Sequence, residues 1–475
     1  MLFNSPQFLL LFLPITVALF YLAHARFSRE NALAILAIAS IAFYGMWDYR
    51  FIPLLIGSVA FNFFVGKLVS RLRNRAILIF AIAINLGLLC FFKYANFFLE
   101  NITTAMGQSF TALDIALPLG LSFITFQKIA YLTDCYRGKV DKVDFLSFTL
   151  FVVFFPQLVA GPIVHHSEVI PQFKRGLSPA LAKSISHGLV LLIVGLFKKV
   201  VIADNIAAVV DPIFGNPGDV QFLDAWVGAL GYSLQLYFDF AGYSEMAMGL
   251  AALFGIALPI NFNSPYQATT ISEFWRRWHM TLGRFLREYL YIPLGGNRHG
   301  FFAMLVALLL TMVLGGLWHG AGWTFVVWGA MHGIYLMVHK LWARTGKTMP
   351  RGLASALTLV AVIFAWVVFR AKTLSDATHL WFVMLGGKGL VLPKGLFALE
   401  ALHVPGLSFE NSPFINGIEI FVLLLVLLFT VTQLNIHRKL ARFVPTRRWG
   451  LGLAALSAAA LISLSNPSSF LYWTF

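Results

Sequence analysis

Two histidines, His279 and His319, stand forty residues apart, and each follows a tryptophan, in "WRRWHMTL" and "GGLWHGAGW". His319 closes an eighteen-residue run, Phe301 to Trp318, that carries no charged side chain. Imidazole takes up and releases a proton near neutral pH. An ionisable group set into apolar sequence of membrane-spanning length is costly, and by default it marks a functional site. The same reasoning singles out His332 in "WGAMHG", and Asp239 and Glu245 in "LQLYFDFAGYSEMAMG". For the two acids the competing role is structural: pairing with an arginine, or capping a helix break at Gly242.

The stretch around His279, "ISEFWRRWHMTLGRFLREYLYIPLGGNRHG" (271–300), sets five arginines against two glutamates among tryptophans and tyrosines. Arg276, Arg277, Arg284 and Arg287, with Trp278 between them, suit a docking surface for a polyanionic, nucleotide-like donor, because guanidinium forks bind phosphates well. An interfacial anchor is the competing reading, since Trp, Tyr and Arg all favour the headgroup region. Ser272 and Glu273, followed by an apolar-aromatic stripe at 274, 278, 282, 285 and 289, predict an amphipathic helix here.

Other candidates carry less. His165 and His166, with Glu168, imitate a metal site, but no second cluster at ligand spacing completes it, and no metal is expected. His24, His299, His339, His379, His403 and His437 lie at loop or span edges, where solvated or interfacial placement suffices, and His187 begins an apolar run from which it can snorkel. Cys90 and Cys135 form neither a disulfide framework nor a zinc site.

The elements that must position these groups follow from composition. The chain is 59% hydrophobic and 12% charged, with a mean hydropathy of +0.79. Soluble domains carry about 25% charged residues, so this is an integral membrane protein without a large water-soluble domain. The net charge of +15 does not point to nucleic acid, because the cations cluster in short segments between apolar runs: 71–75, 137–142, 340–351 and 438–448. That is the pattern of cytoplasmic loops.

With the N-terminus outside, spans are predicted near 7–24, 30–48, 52–70, 76–93 and 113–133. The first is read as a retained span rather than a signal peptide. Residues 147–164 contain "FPQLVAGPI", which suits a broken or re-entrant segment. Spans follow near 182–199 and 224–256, the latter long enough to be broken. Residues 271–300 are too polar to cross. Runs at 301–318, 324–339, 353–369, 417–434 and 449–465 complete about 11 spans, with the loops at 94–112 and 386–416 outside. No repeat with a period of 20–50 residues is visible.

The sequence resembles the membrane-bound O-acyltransferase family, in its bacterial branch acting on exported polysaccharides, typified by the alginate O-acetylation membrane subunit. The resemblance runs nearly end to end. It is carried by "LFNSPQFLLLFLPI", "PLGLSFITFQKIAYLTDCYRG", "FFPQLVAGPI", "LQLYFDFAGYSEMAMGLAALFGIALPINFNSPY", "ISEFWRRWHMTLGRFLREYLYIPLGGNR", "LGGLWHGAGWTFVVWGAMHG", "VVFRAKTLSDA" and "SSFLYWTF". It implies an all-α polytopic membrane fold over residues 1–475 as one transmembrane domain, with about 11 transmembrane helices plus re-entrant and interfacial helices. It also implies a cytoplasmic funnel and an extracytoplasmic opening that meet near a histidine at membrane depth.

The family's invariant histidine maps to His319 and its second recurrent polar position to His279. The resemblance implies acetyl-CoA as a cytoplasmic acyl donor, with no tightly bound cofactor. It implies periplasmic partners with a Ser-His-Asp (SGNH-like) hydrolase fold, a bacterial inner-membrane location, and a polymer of the alginate, cellulose or peptidoglycan type as indirect acceptor. On this reading His319 is the general base that activates a hydroxyl, and His279 orients it or polarises the thioester carbonyl. Arg276, Arg277, Arg284 and Arg287, with Trp278, hold the nucleotide end of the donor. The alternatives are a D-alanyl transferase for teichoic acid with the same fold, and a polysaccharide or lipid transporter without catalysis.

Overall fold

The computed structural model describes residues 2–177, 180–394, 407–433, 435–465 and 470–471. His403 and most of the closing "SSFLYWTF" lie outside the described residues. Six helical runs are long and apolar enough to cross a bilayer: Phe8–Arg26, Arg29–Leu72, Arg75–Ala105, Leu181–Gly215, Gly300–His319 and Arg351–Arg370. The second of these holds two helices, Arg29–Asp48 and Ile52–Leu72, joined by a tight turn. The sequence reading of about 11 spans also counts less apolar stretches, such as the helix Trp323–Arg344. The fold is all-α and polytopic. Its one described sheet is a short parallel pair, Leu390–Pro393 with Leu407–Glu410, in which Leu390 faces Leu407.

By its internal packing the chain divides into two compact units. The first comprises Met1–Phe197, Gly242–Ile260 and Pro445–Thr474; the second comprises Lys198–Ala241, Asn261–Val444 and Phe475.

In the first unit, polar caps punctuate apolar helices. Ser28 accepts from the Asn31 amide, and Asn74 accepts from Ala76 and Ile77. The helix Ile52–Leu72 turns Leu55, Val59, Phe63 and Val69 inward and leaves Phe64 and Ile56 exposed, as a lipid-facing helix should. Where helices meet in an apolar medium, close approach and polar pairing hold them. Asn62 and Asn85 exchange side-chain hydrogen bonds at 3.2 and 2.8 Å, both fully buried. Gly188 and Gly195 pack against Gly249 and Gly242, where an added Cβ would meet backbone oxygen at 2.8 and 2.5 Å.

The expected re-entrant segment is irregular as read. Helix Phe145–Val153 stops, one turn forms at Phe155–Leu158, and 159–164 are non-helical yet buried. Exposed backbone groups cannot be left unsatisfied at such depth. Ser40 accordingly takes the Phe155 N–H at 3.1 Å, and the Gln157 side chain donates to the Phe151 carbonyl at 2.6 Å.

The stretch near 224–256, long enough to be broken, is a single 32-residue helix, Phe222–Leu253. Gly242 caps no break in it; it is the close-packing point just described. In the second unit Asp239 pairs with a lysine rather than an arginine: Lys199 reaches both Asp239 and Asp204 at 2.7 Å, with Lys199 and Asp239 almost wholly buried.

The second unit's central feature is a helical hairpin, Gly300–His319 and Trp323–Arg344, turned by three residues. Its helices lie so close that a Cβ on Gly316 would sit 2.2 Å from the Phe325 carbonyl oxygen, and one on Gly329 would sit 2.3 Å from that of Met312. That contact seats His319 at the tip.

Candidate active site

His319 is the last residue of its helix and only 4% exposed. Aromatic rings wall it in: Trp318 at 4.9 Å, Trp328 edge-on at 5.2 Å, and Phe369 from the helix Arg351–Arg370 at 5.4 Å. Trp328 passes the contact on to His332, 4.9 Å away, and stacks on Trp366. His332 is fully buried, its Nδ1 accepting from the Trp275 indole at 3.3 Å.

His279 occupies a different kind of place. It sits at φ 42°, ψ 54°, a left-handed conformation uncommon for a side-chain-bearing residue. The predicted amphipathic helix is therefore not continuous. It breaks into Ile271–Trp275 and Met280–Leu286, the latter running into a wider turn at Arg287–Tyr291. The first piece is capped by Thr270, whose hydroxyl accepts from the Glu273 amide, and not by Ser272. Two backbone bonds to a neighbouring strand-like stretch hold the break open: Met280 N–H to the Asn261 carbonyl and Asn263 N–H to the Arg277 carbonyl, both 2.9 Å.

That stretch supplies a residue the sequence reading passed over. The Asn261 side-chain oxygen lies 3.0 Å from His279 Nδ1 and accepts from the Thr281 hydroxyl at 2.9 Å. An oxygen already accepting there requires Nδ1 to be the protonated nitrogen, so Nε2 is the basic one. His279 is wholly buried, with Phe240 edge-on at 4.7 Å and Trp318 at 6.4 Å. Trp318 thus touches both histidines. The only sequence signal for Asn261 was a polar residue in "PINFNSPY", directly after a long apolar helix.

The four arginines stand in different surroundings. Arg277 is spent on the turn: it binds Glu273 at 2.7 and 3.0 Å and the Asn263 carbonyl at 3.2 Å. Partial burial pushes the Glu273 carboxyl up, but its bonds from Thr269 and Arg277 outweigh this and hold it below the ordinary carboxylate range. Arg276 and Arg287 are exposed and Arg284 is half-buried. Trp278 is 1% exposed, packed against Trp366, Phe274 and Phe262. It braces the cage and offers no surface to a docked molecule.

A cavity of about 830 Å³ lies at the basic end of the hairpin, between Thr269–Glu273, Tyr335–Arg351 and the start of the helix Arg351–Arg370. Lys347, Arg351 and His339 line it, and the Arg276 charge bears on His339. Tyr335, also in its wall, touches the His332 ring at 5.7 Å. Cavity, Tyr335, His332, Trp328 and His319 therefore form one continuous line of ring contacts.

Comparison with known proteins bears on what this arrangement does. A family model for MBOAT, the membrane-bound O-acyltransferase family, matches residues 74–374, which include both histidines. A peptidoglycan O-acetyltransferase from Helicobacter pylori is 43% identical over 456 residues, covering 88% of this chain and 84% of that protein. A probable alginate O-acetylase from Pseudomonas aeruginosa is 41% identical over 395 residues, covering 81% and 75%. A teichoic acid D-alanyltransferase from Streptococcus thermophilus is 28% identical over 245 residues, covering 49% and 59%.

Proposed function

The chain belongs to the membrane-bound O-acyltransferase family, and from that premise we propose that it takes acetyl groups from acetyl-CoA for O-acetylation of an exported polysaccharide. It is a multi-pass membrane enzyme, an O-acyltransferase. The observation that carries the reading is the meeting of two buried histidines, from separate elements, on Trp318, with a basic cavity connected to the same aromatic cage.

A hydroxyl is a weak nucleophile at neutral pH, so the reaction needs a base. His319 takes the hydroxyl proton as the oxygen attacks the thioester carbonyl. The carbon–sulfur bond then breaks, and the proton returns to the departing thiolate, releasing CoA. The tautomer narrows the role of His279. With its Nδ1–H given to Asn261, Nε2 can only accept, whereas polarising a carbonyl requires a donor. His279 therefore acts by accepting a hydrogen bond that orients the reacting groups.

The cavity is of a size suited to small-molecule sites. Lys347, Arg351 and Arg276 give it the charge to hold the phosphates of the donor, with Arg284 and Arg287 as further cations of the same segment. The basic loops at that end support donor entry from the cytoplasmic side, in keeping with a bacterial inner-membrane location. Periplasmic partners with a Ser-His-Asp hydrolase fold would complete transfer to the polymer. The relatives support a polymer of the alginate or peptidoglycan kind. D-alanylation has weaker support, since the relative of that name matches half of the chain at lower identity.

The test is CoA-thiol release from acetyl-CoA by the purified protein in proteoliposomes. Release that depends on an acceptor is expected. Inertness toward acetyl-CoA, with turnover of a carrier-protein thioester, would overturn the reading.

A further inference from the structure

The pair His165 and His166 lacks a third ligand in its own neighbourhood of the sequence, but the fold supplies one from 31 residues upstream. Asp134 lies in the last turn of the helix Leu121–Arg137, and its Oδ2 is 2.8 Å from His165 Nε2 and 3.2 Å from His166 Nε2. One ligand atom from each of the three residues falls within 4.8 Å of the others. We infer that Asp134, His165 and His166 form a divalent-metal site, separate from the His319 chemistry, that clips the end of one helix to the start of another.

Several features fit. Tetrahedral bonds of about 2.0–2.2 Å to nitrogen and oxygen place neighbouring ligand atoms about 3.3–3.6 Å apart, so the 2.8 and 3.2 Å from Asp134 Oδ2 need open by only a few tenths of an ångström. An ion would replace the two protons that the Nε2 atoms otherwise donate to one carboxylate oxygen. His165 Nδ1 is 2.6 Å from the Ser167 hydroxyl and accepts a long 3.4 Å bond from the Ser167 amide; with Nε2 on a metal, Nδ1 would carry the proton and donate to that hydroxyl, the kind of outer hydrogen bond that fixes a ligating ring. Glu168, the acid nearest in sequence, is spent on accepting the His165 backbone N–H as part of a helix cap, and so does not serve as the third ligand.

Two imidazoles and one carboxylate favour zinc, cobalt or nickel over magnesium or calcium, which prefer all-oxygen shells. Asp134 and His166 are 2% and 5% exposed at the side chain and His165 is 19% exposed, so the fourth position opens on the His165 side, to a water. Arg137 lies 3.6 Å from the other Asp134 oxygen; its charge weakens the ion's hold and sets a modest affinity. The irregular buried stretch 159–164 runs directly into this cluster, and a metal clip would anchor its exit.

The test uses the full-length protein, purified without a histidine tag and stripped with chelator, and titrated with Co²⁺ and then Zn²⁺. One Co²⁺ per chain with tetrahedral visible absorption, displaced by Zn²⁺ and accompanied by a raised unfolding midpoint, is expected. Ser167→Ala, at an exposed position, should weaken binding about 10- to 100-fold, and the double variant His165→Gln, His166→Gln should abolish it. Wild-type protein showing only the spectrum of free aqueous Co²⁺, or equal affinity in wild type and both variants, would overturn the site. Should the double variant not fold, the wild-type spectrum and the Ser167→Ala affinity decide the matter.

Discussion

How much His279 owes to its hydrogen bond is measured at Asn261. Asn261→Ala removes the bond that holds the proton on Nδ1 and favours Nε2 as the basic nitrogen. Losing an outer partner of this kind costs about 10- to 100-fold where a histidine ligates a metal, and a loss of that order in acetyl transfer is expected here. Asn261→Asp still offers an oxygen to Nδ1–H and should recover much of the rate. Equal loss in both variants, with folded protein in each, would remove the tautomer argument. His319 and His332 stood out in the sequence because an ionisable ring is conspicuous among apolar neighbours, and His279 because it repeats the Trp-His pair of His319. Asn261 was not, since its importance comes from a backbone bond to Met280 and side-chain bonds to His279 and Thr281, 18 to 20 residues away, which no local pattern announces.

At the scale of the element, the broken helix around His279 separates two arginines that look equivalent in sequence. Arg276 is exposed beside the cavity, so Arg276→Gln should raise the KM for acetyl-CoA by less than about 10-fold, the usual range for an exposed charge contact. Added salt should imitate it. Arg277 binds Glu273 and the Asn263 carbonyl, so Arg277→Gln should instead lower thermal stability and yield of folded protein. A pure KM effect at Arg277, or none at Arg276, would reverse these roles. The Glu273 carboxyl is held below its ordinary range. Its contribution to stability is therefore present above the unfolded carboxylate value and lost as the pH falls through the folded one. Of the apolar stripe at 274, 278, 282, 285 and 289, the first four residues are buried and Tyr289 is half-buried, but they lie on a broken helix rather than on the continuous amphipathic one expected. The break at 276–279 was invisible because no glycine or proline marks it; tertiary bonds impose the left-handed turn on a histidine.

At the scale of the molecule, the basic segments 71–75, 340–351 and 437–448 should share one side of the membrane, and 94–112 should lie on the other. Single cysteines at Arg73, Gln108 and Arg442, in a background lacking Cys90 and Cys135, test this with an impermeant thiol reagent. Labelling of Arg73→Cys and Arg442→Cys from opposite faces would break the topology. The membrane class and the apolar runs were legible because burial in lipid demands long uncharged stretches. Whether the long stretch near 224–256 breaks was not legible, because the Lys199 pairing of Asp239 and the close packing at Gly242 and Gly249 that fit it into one continuous helix come from other parts of the chain.

Catalysis here requires a proton-accepting imidazole at the tip of the hairpin, and His319→Gln tests this directly. Glutamine keeps hydrogen-bonding capacity and similar size but cannot take the hydroxyl proton. General-base assistance contributes about 10²–10⁴-fold, so acetyl transfer by the purified, folded, membrane-inserted variant should fall by that factor while acetyl-CoA binding persists. Turnover near that of the wild type would contradict the mechanism.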